Sequence, residues 1–280
     1  MGQSIIPDFV VIGAMRAGTT TLHELLKDTG CVSLSNMKEI DYFMTADRFA
    51  RGDAWFRKRF KSYDAPVGDI SPNYAKRDVF PGVAERIHRT NPHAKLVYIV
   101  RDPVDRAISQ YRIAKLSHQN LRPDETFLDH DQGQHIIRTS QYAYQLEPYL
   151  EYWSLDDILL LDFNDLWENP TLILNQIFDK IGLDPLREAV SPIHSNATTD
   201  VGRLPKWWLS LRKTKLGETI RSATPRPLAA RLKNTLSASR VSAAEHKPNN
   251  QFSDLIASAL ASDTEIFRRL TGRRFKNWSV

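Results

Sequence analysis

The chain has 280 residues, 41% hydrophobic and 25% charged, with a formal net charge of +5. That is the composition of a soluble globular protein long enough for one substantial core, and no apolar run approaches the roughly 20 residues that span a bilayer. The start, MGQSIIPDF, lacks the basic flank and long apolar stretch of a signal peptide, and the single cysteine, Cys31, excludes an internal disulfide. A reducing cytoplasm is the compartment expected, with Cys31 as a small buried hydrophobe. The charge is uneven. Between Val201 and Asn250 eleven Lys or Arg face only Glu218 and Glu245, a net +9 that leaves the rest of the chain acidic. Such a segment suits an anionic ligand, an acidic acceptor or a membrane surface. Without a recognition fold it is no case for nucleic acid, and none is read here.

In chain order, the apolar run Phe9–Ile12 leads into GAMRAGTTTL, Gly13 to Leu22, and then the periodic Leu22, Leu25 and Leu26. This reads as strand, loop and helix. Backbone N–H groups at such a helix start have no intrahelical acceptor, and the helix dipole favours negative charge there. Gly13 and Gly18 let the backbone approach an anion, and Thr19, Thr20 and Thr21 add hydroxyls. The spacing is that of a nucleotide P-loop, G-x-x-x-x-G, but Thr19-Thr20 replaces the expected Lys-Ser/Thr, and the cation sits inside the loop as Arg16.

CVSLS predicts a second strand, followed by NMKEIDYFM, with Lys38-Glu39 just past a strand end, where ligands bind in open parallel sheets. Trp55, Phe56 and Phe60 have helical spacing and are expected in the core. VGDISPNY reads as a strand stopped by Ser71-Pro72. AKLVYIVRDPVDRAISQY gives a buried strand ending at Arg101, then a helix opened by Asp102-Pro103 that turns Ser109 back toward the first loop. Asn120 to Gln134 reads as polar loop. Ser140 to Trp153 reads as a helix with Tyr142, Leu146, Tyr149, Leu150 and Trp153 on its apolar side. A last strand is predicted over Ile158–Leu161, and a helix over Leu172–Ile181 closed by Gly182. The eight histidines show no zinc spacing, so no metal site is read, and His23 is taken as an exposed helix position. No G-x-S-x-G elbow occurs. The alternation implies an α/β fold of the P-loop type: a three-layer sandwich with a central, mostly parallel sheet flanked by helices, plus a basic helical C-terminal segment. The whole chain reads as one domain: a core over about 5–190, a basic lid or insert over about 195–250, and a C-terminal helix over about 251–280.

MRAGTTTL resembles the 5′-phosphosulfate loop, K/R-x-G-T-T, of sulfotransferases that use 3′-phosphoadenosine 5′-phosphosulfate (PAPS). R-D-P-x-x-R-x-x-S-x-Y from Arg101 to Tyr111 resembles the same family's 3′-phosphate site. Two further segments fit, K-E-x-x-x-F at Lys38–Phe43 and G-E/D-x-S-P-x-Y at Gly68–Tyr74. Bacterial-type members related to the heparan-sulfate and carbohydrate sulfotransferase domain are the nearest likeness. The resemblance implies PAPS as donor and no metal. Arg16 with the amides of Ala17, Gly18, Thr19, Thr20 and Thr21 would hold the 5′-phosphosulfate, Arg101 and Ser109 the 3′-phosphate, and Gly202-Arg203 would close over the nucleotide. Glu39 would be the catalytic base and Arg16 would stabilise the leaving phosphate. Asp69 is either an organiser of the site or a structural carboxylate, and Tyr142 either approaches the site or packs in the core. Some heparan-type members carry a lysine where this chain has Ile70 and a histidine where it has Asp41, which argues against a heparan-type acceptor.

The activity implied is sulfonyl transfer to an acceptor hydroxyl or amine on a carbohydrate, lipid or small molecule. Two alternatives stand beside it. One is a P-loop kinase or NTPase, which needs Lys after Gly18 and an acidic strand end for Mg²⁺. The other is a non-catalytic binder of anionic nucleotides or membrane surfaces that uses the basic segment 201–250, where Trp207, Trp208, Leu209 and Leu211 lie among the cations.

Overall fold

Phe9, Val10, Val11 and Ile12 are wholly screened from solvent, and so are Leu96 to Val100. Strands that read as continuous apolar runs are those covered on both faces, the condition of an all-parallel sheet. The computed structural model describes residues 6–115, 120–190 and 250–280. Five strands, β1 (Phe9–Gly13), β2 (Ser33–Leu34), β3 (Val67–Ile70), β4 (Lys95–Val100) and β5 (Ile158–Asp162), form one sheet in the order β2-β3-β1-β4-β5. Every pairing is parallel. Phe9 pairs with Gly68, Val10 with Leu96, and Tyr98 with Leu160.

Alternate side chains go to opposite faces, as the two-residue period of a strand requires. Phe9, Val11, Val97 and Ile99 meet α1 (Thr19–Thr29) and, through Ile173, Leu174, Ile177 and Phe178, the late helix Pro170–Lys180. Val10, Ile12, Leu96, Tyr98 and Val100 face the opposite layer, which includes Phe43, Phe56, Phe60, Ile87, Tyr142 and Leu146, with Trp55 partly buried beside them. The helices needed below are α2 (Ala46–Phe49), α3 (Asp53–Arg57), α4 (Val83–Thr90), α5 (Pro103–Lys115), α6 (Asp131–Arg138), α7 (Tyr142–Leu150), α8 (Phe163–Glu168), α9 (Pro170–Lys180) and α10 (Asn250–Thr271). This is the three-layer α/β architecture expected.

α10 belongs to the same body. Phe252 meets Tyr111 and Phe127, each with ring centres 5.0 Å away, and Phe267 meets Tyr142 at 5.6 Å. Asp263 accepts the Ala143 and Tyr144 amides at 3.1 and 2.9 Å, so a carboxylate from α10 satisfies the first turn of α7, whose own N-cap side chain does not.

Three expectations are corrected. The polar stretch 120–134 is not plain loop: it holds a 3₁₀ turn, Glu125–Phe127, and the start of α6, because Leu121 and Phe127 are fully buried against α5 and α10. Cys31 is exposed, since β2 is a two-residue strand at the sheet edge. His23 is buried, 7% exposed, on α1 with Nδ1 3.2 Å from Glu24 Oε1. Burial leads the effects that push its imidazole below the usual histidine range.

Candidate active site

The sheet carries its polar groups at the C-terminal ends of β1, β2, β3 and β4. After β1 the chain is pinned by the Ala14 amide donating to the Ile99 carbonyl at 2.6 Å. A Cβ on Gly13 would lie 2.8 Å from Ala75 Cβ and 2.9 Å from the Tyr98 ring. The loop therefore leaves the sheet where only glycine fits. Gly18, at φ 84°, is the N-cap of α1 and brings no side chain to its first turn. The first helical bond is Leu22 N–H to the Gly18 carbonyl, 3.0 Å. Thr19, Thr20 and Thr21 stand ahead of that bond, where the dipole is positive. Ala17 differs from the expectation for it: its N–H donates to the Ala14 carbonyl at 3.1 Å and serves the loop's own turn.

Arg16 sits at the apex with φ 73°. A side-chain-bearing residue held in this region costs on the order of 1–3 kcal/mol and persists only where its surroundings hold it. Its Nε donates to Ser109 Oγ at 3.0 Å, so the first loop and α5 meet at one hydrogen bond. Ser109 is 6% exposed. Arg101, at the end of β4, lies over the Phe163 ring at 4.8 Å and pairs with Asp105 at 3.3 Å. Its backbone is fixed by Tyr142, whose hydroxyl donates to the Arg101 carbonyl at 2.8 Å. Tyr142 thus supports the site through main chain from within the core. Burial, with Arg101 nearby, holds the Arg16 guanidinium below its ordinary range. Two cations that disfavour one another in a partly dry cleft are relieved by an anion placed between them.

Arg106 was not singled out by motif reading, although it lies inside the R-D-P-x-x-R string. It is fully buried. Its Nε donates to the Met15 carbonyl at 3.0 Å, and Nη1 to the Ile136 carbonyl at 3.2 Å and Ser140 Oγ at 2.6 Å; Nη2 reaches Gln110 Oε1. One planar fork therefore ties the first loop to α5, α6 and the turn that precedes α7. Burial pushes its pKa down to about 10, which still leaves it charged at neutral pH.

Glu39 follows β2. Lys38 Nζ bonds Thr20 Oγ1 at 2.5 Å and Glu39 Oε1 at 3.0 Å, which brings the carboxylate to the mouth of the first loop. Glu39 and Asp41 both have left-handed backbones, φ 60° and 53°. Asn73 donates to both carboxylate oxygens of Asp41 at 3.1 and 3.2 Å, and Lys76 donates to Asn73 Oδ1 at 2.7 Å. Burial and then Arg106 push the Lys76 ammonium down to about 8. Asn73 and Lys76 carried no sequence signal beyond proximity to S-P-x-Y.

Asp69, 1% exposed, accepts Ser71 Oγ–H at 2.7 Å and Tyr74 O–H at 2.6 Å. Burial outweighs those bonds and raises its pKa from 3.8 to about 6, with Asp41 adding to the rise. A carboxyl whose folded pKa is raised contributes stability that is fully present below about pH 4 and is lost as pH climbs through 6. The melting temperature of the wild type relative to Asp69→Asn should therefore fall between pH 4 and 6. A pH-independent difference in scanning calorimetry would contradict it.

Gly202 and Arg203, with the rest of 191–249, lie outside the described residues. A family model described as a sulfotransferase domain matches residues 6–203. The chain is 35% identical over 114 residues to a membrane-associated sulfotransferase, kil1, of Dictyostelium discoideum, across 39% of this chain and 23% of that protein. It is 29% identical over 205 residues to heparan sulfate glucosamine 3-O-sulfotransferase 5 of Mus musculus, across 69% of this chain and 58% of that one. The chain thus spans under two thirds of either relative. In fold it is similar to the crystal structure of a sulfotransferase from Alicyclobacillus acidocaldarius, with TM-score 0.66 and 16% identity over 98% of this chain and 99% of that one.

Proposed function

Because the chain belongs to the sulfotransferase-domain family, we propose that it transfers the sulfonyl group of PAPS to an acceptor hydroxyl. The observation that carries this reading is the Arg16–Ser109 bond, which joins the first loop to the β4–α5 corner bearing Arg101. Anion-binding groups on adjacent strands suit a nucleotide with phosphates on both sides of its ribose. The first-turn amides and Arg16 would hold the 5′-phosphosulfate, and Arg101 with Ser109 the 3′-phosphate. The acceptor oxygen forms a bond to sulfur as the bond from sulfur to the 5′-phosphate oxygen breaks. Glu39 takes the acceptor's proton, and adenosine 3′,5′-bisphosphate leaves, its developing charge facing preorganised donors.

A carbohydrate hydroxyl is the acceptor class we favour. The mouse relative is named for transfer to a sugar hydroxyl. Beside Glu39, Asp41, Asn73 and Lys76 form a half-buried polar wall of the kind that binds neighbouring hydroxyls. Asp41 and Ile70 argue against heparan-type chains: where some heparan-type members carry a histidine and a lysine, this chain has a carboxylate, which repels a polyanion, and a neutral aliphatic side chain, which offers it no cation. The basic segment 201–250 would serve peripheral attachment to an anionic membrane.

A P-loop kinase is disfavoured by Thr19 in the lysine position and by Arg101 where a metal-binding acid would stand. Calorimetry separates the two. Adenosine 3′,5′-bisphosphate should bind without metal and more tightly than ADP or ATP, and Arg101→Ala should weaken it about 10- to 100-fold, as loss of a charged hydrogen bond does. Equal ADP binding, or a demand for Mg²⁺, would overturn the proposal.

A further inference from the structure

The carboxylate of Asp69 touches neither loop of the nucleotide site, yet two relays run from it to the segment that carries Glu39. Ser71 Oγ gives its proton to Asp69 Oδ1 at 2.7 Å and accepts the Asp41 amide at 3.1 Å. Tyr74 gives its phenolic proton to Asp69 Oδ2 at 2.6 Å and accepts the Phe43 amide at 3.2 Å. A hydroxyl has one proton. Once that proton points at an ionised carboxylate, the oxygen lone pairs must face elsewhere, and here they face alternate amides of the segment 39–43. Asp69, Ser71 and Tyr74 are all buried, so water does not substitute for any of them. Glu39 and Asp41 hold left-handed backbones that side chains rarely adopt, and such conformations last only when neighbours impose them.

We infer that Asp69 is a positioning residue for Glu39: it orients the Ser71 and Tyr74 hydroxyls as acceptors and so holds the segment that aims the base. This rests on the reading of Glu39 as base. The arrangement requires a carboxylate. In Asp69→Asn one terminus becomes an NH₂ donor, which meets the proton of Ser71 or Tyr74 head-on; one hydroxyl must turn that proton away from residue 69, and the rotation disturbs the bond it accepts from the loop amide.

The test takes wild type, Asp69→Asn, Glu39→Gln and the double variant as full chains. It reads turnover of labelled PAPS on a fixed panel of a hexosamine, a long-chain alcohol and a phenol, the affinity for adenosine 3′,5′-bisphosphate, and amide hydrogen exchange at 41 and 43. Asp69→Asn should lower kcat about 10- to 100-fold, leave nucleotide affinity within about 2-fold, and speed exchange at both amides. In the Glu39→Gln background it should cost less than about 2-fold more, because residues acting through one group are not additive. Unchanged protection of both amides overturns the inference whatever the acceptor. So does a kcat loss that persists undiminished in the double variant, which would mark a structural role. Full turnover by Glu39→Gln alone would instead remove the base assignment. Should Asp69→Asn fail to fold, Ser71→Ala cuts one relay and should speed exchange at Asp41 while sparing Phe43; equal protection at Asp41 counts against the inference.

Discussion

Glu39→Gln is expected to lower kcat by about 10²- to 10⁴-fold, the range for loss of a positioned general base, while the affinity for adenosine 3′,5′-bisphosphate stays at the wild-type value. The separation follows from geometry. Among the described residues Glu39 reaches the first loop through Lys38, which bonds both Thr20 and Glu39, whereas the proposed phosphate contacts are made by Arg16, Arg101, Ser109 and the helix amides. The amide of glutamine keeps the size of the side chain and an acceptor for Lys38, but it cannot take a proton. Single-turnover transfer from labelled PAPS, read beside calorimetry, distinguishes the two steps. Undiminished transfer would exclude Glu39 as the base; a parallel loss of nucleotide affinity would assign it to the donor site.

Arg106→Ala is expected to destabilise the fold by about 3–5 kcal/mol, since several buried acceptors lose a charged donor and a cavity opens. Native domains are stable by only about 5–15 kcal/mol, so this is a large share. The acceptors left behind are the Met15 and Ile136 carbonyls, Ser140 Oγ and Gln110 Oε1. Met15 belongs to the first loop. Nucleotide affinity should therefore fall as well, although Arg106 is not proposed to touch the nucleotide. Urea unfolding with paired calorimetry measures both, and Arg106→Met, which refills much of the volume, serves if alanine does not fold. A cost under about 1 kcal/mol with unaltered affinity would show that the loop is held by other means.

What could be read from the sequence was local. Buried strands announce themselves as apolar runs, and Gly13, Gly18, Arg101 and Ser109 sit at spacings that strand, turn and helix geometry convert directly into positions. What escaped depended on elements far apart in the chain. An arginine is ordinarily exposed, and nothing near Arg106 in sequence indicates that carbonyls from Met15 and Ile136 await it. Phe127 looked like part of a polar loop until Tyr111 and Phe252 closed over it. His23 and Cys31 each lie in the opposite environment from the one expected, for a similar reason: burial at a helix face or a sheet edge is decided by what packs there. The Asp69 relays join residues up to 31 positions apart, and S-P-x-Y alone shows a strand end without its partner.

The strand order has a consequence for how such a catalyst diversifies. The groups proposed to grip the donor issue from the neighbouring strands β1 and β4, whereas Glu39, Asp41 and Asn73 issue from the neighbouring strands β2 and β3. Recognition of the two substrates is thus divided along the sheet. The β2–β3 half can be rewritten with little change to the half proposed to hold the donor, provided that the Lys38–Thr20 bond and the close fit of Ala75 against Gly13 are kept. Asp41 and Phe43 are held by hydroxyls rooted on Ser71 and Tyr74. The transferable unit is therefore the pair of segments 35–45 and 69–79 exchanged together; either one grafted alone would part the loop from its anchor.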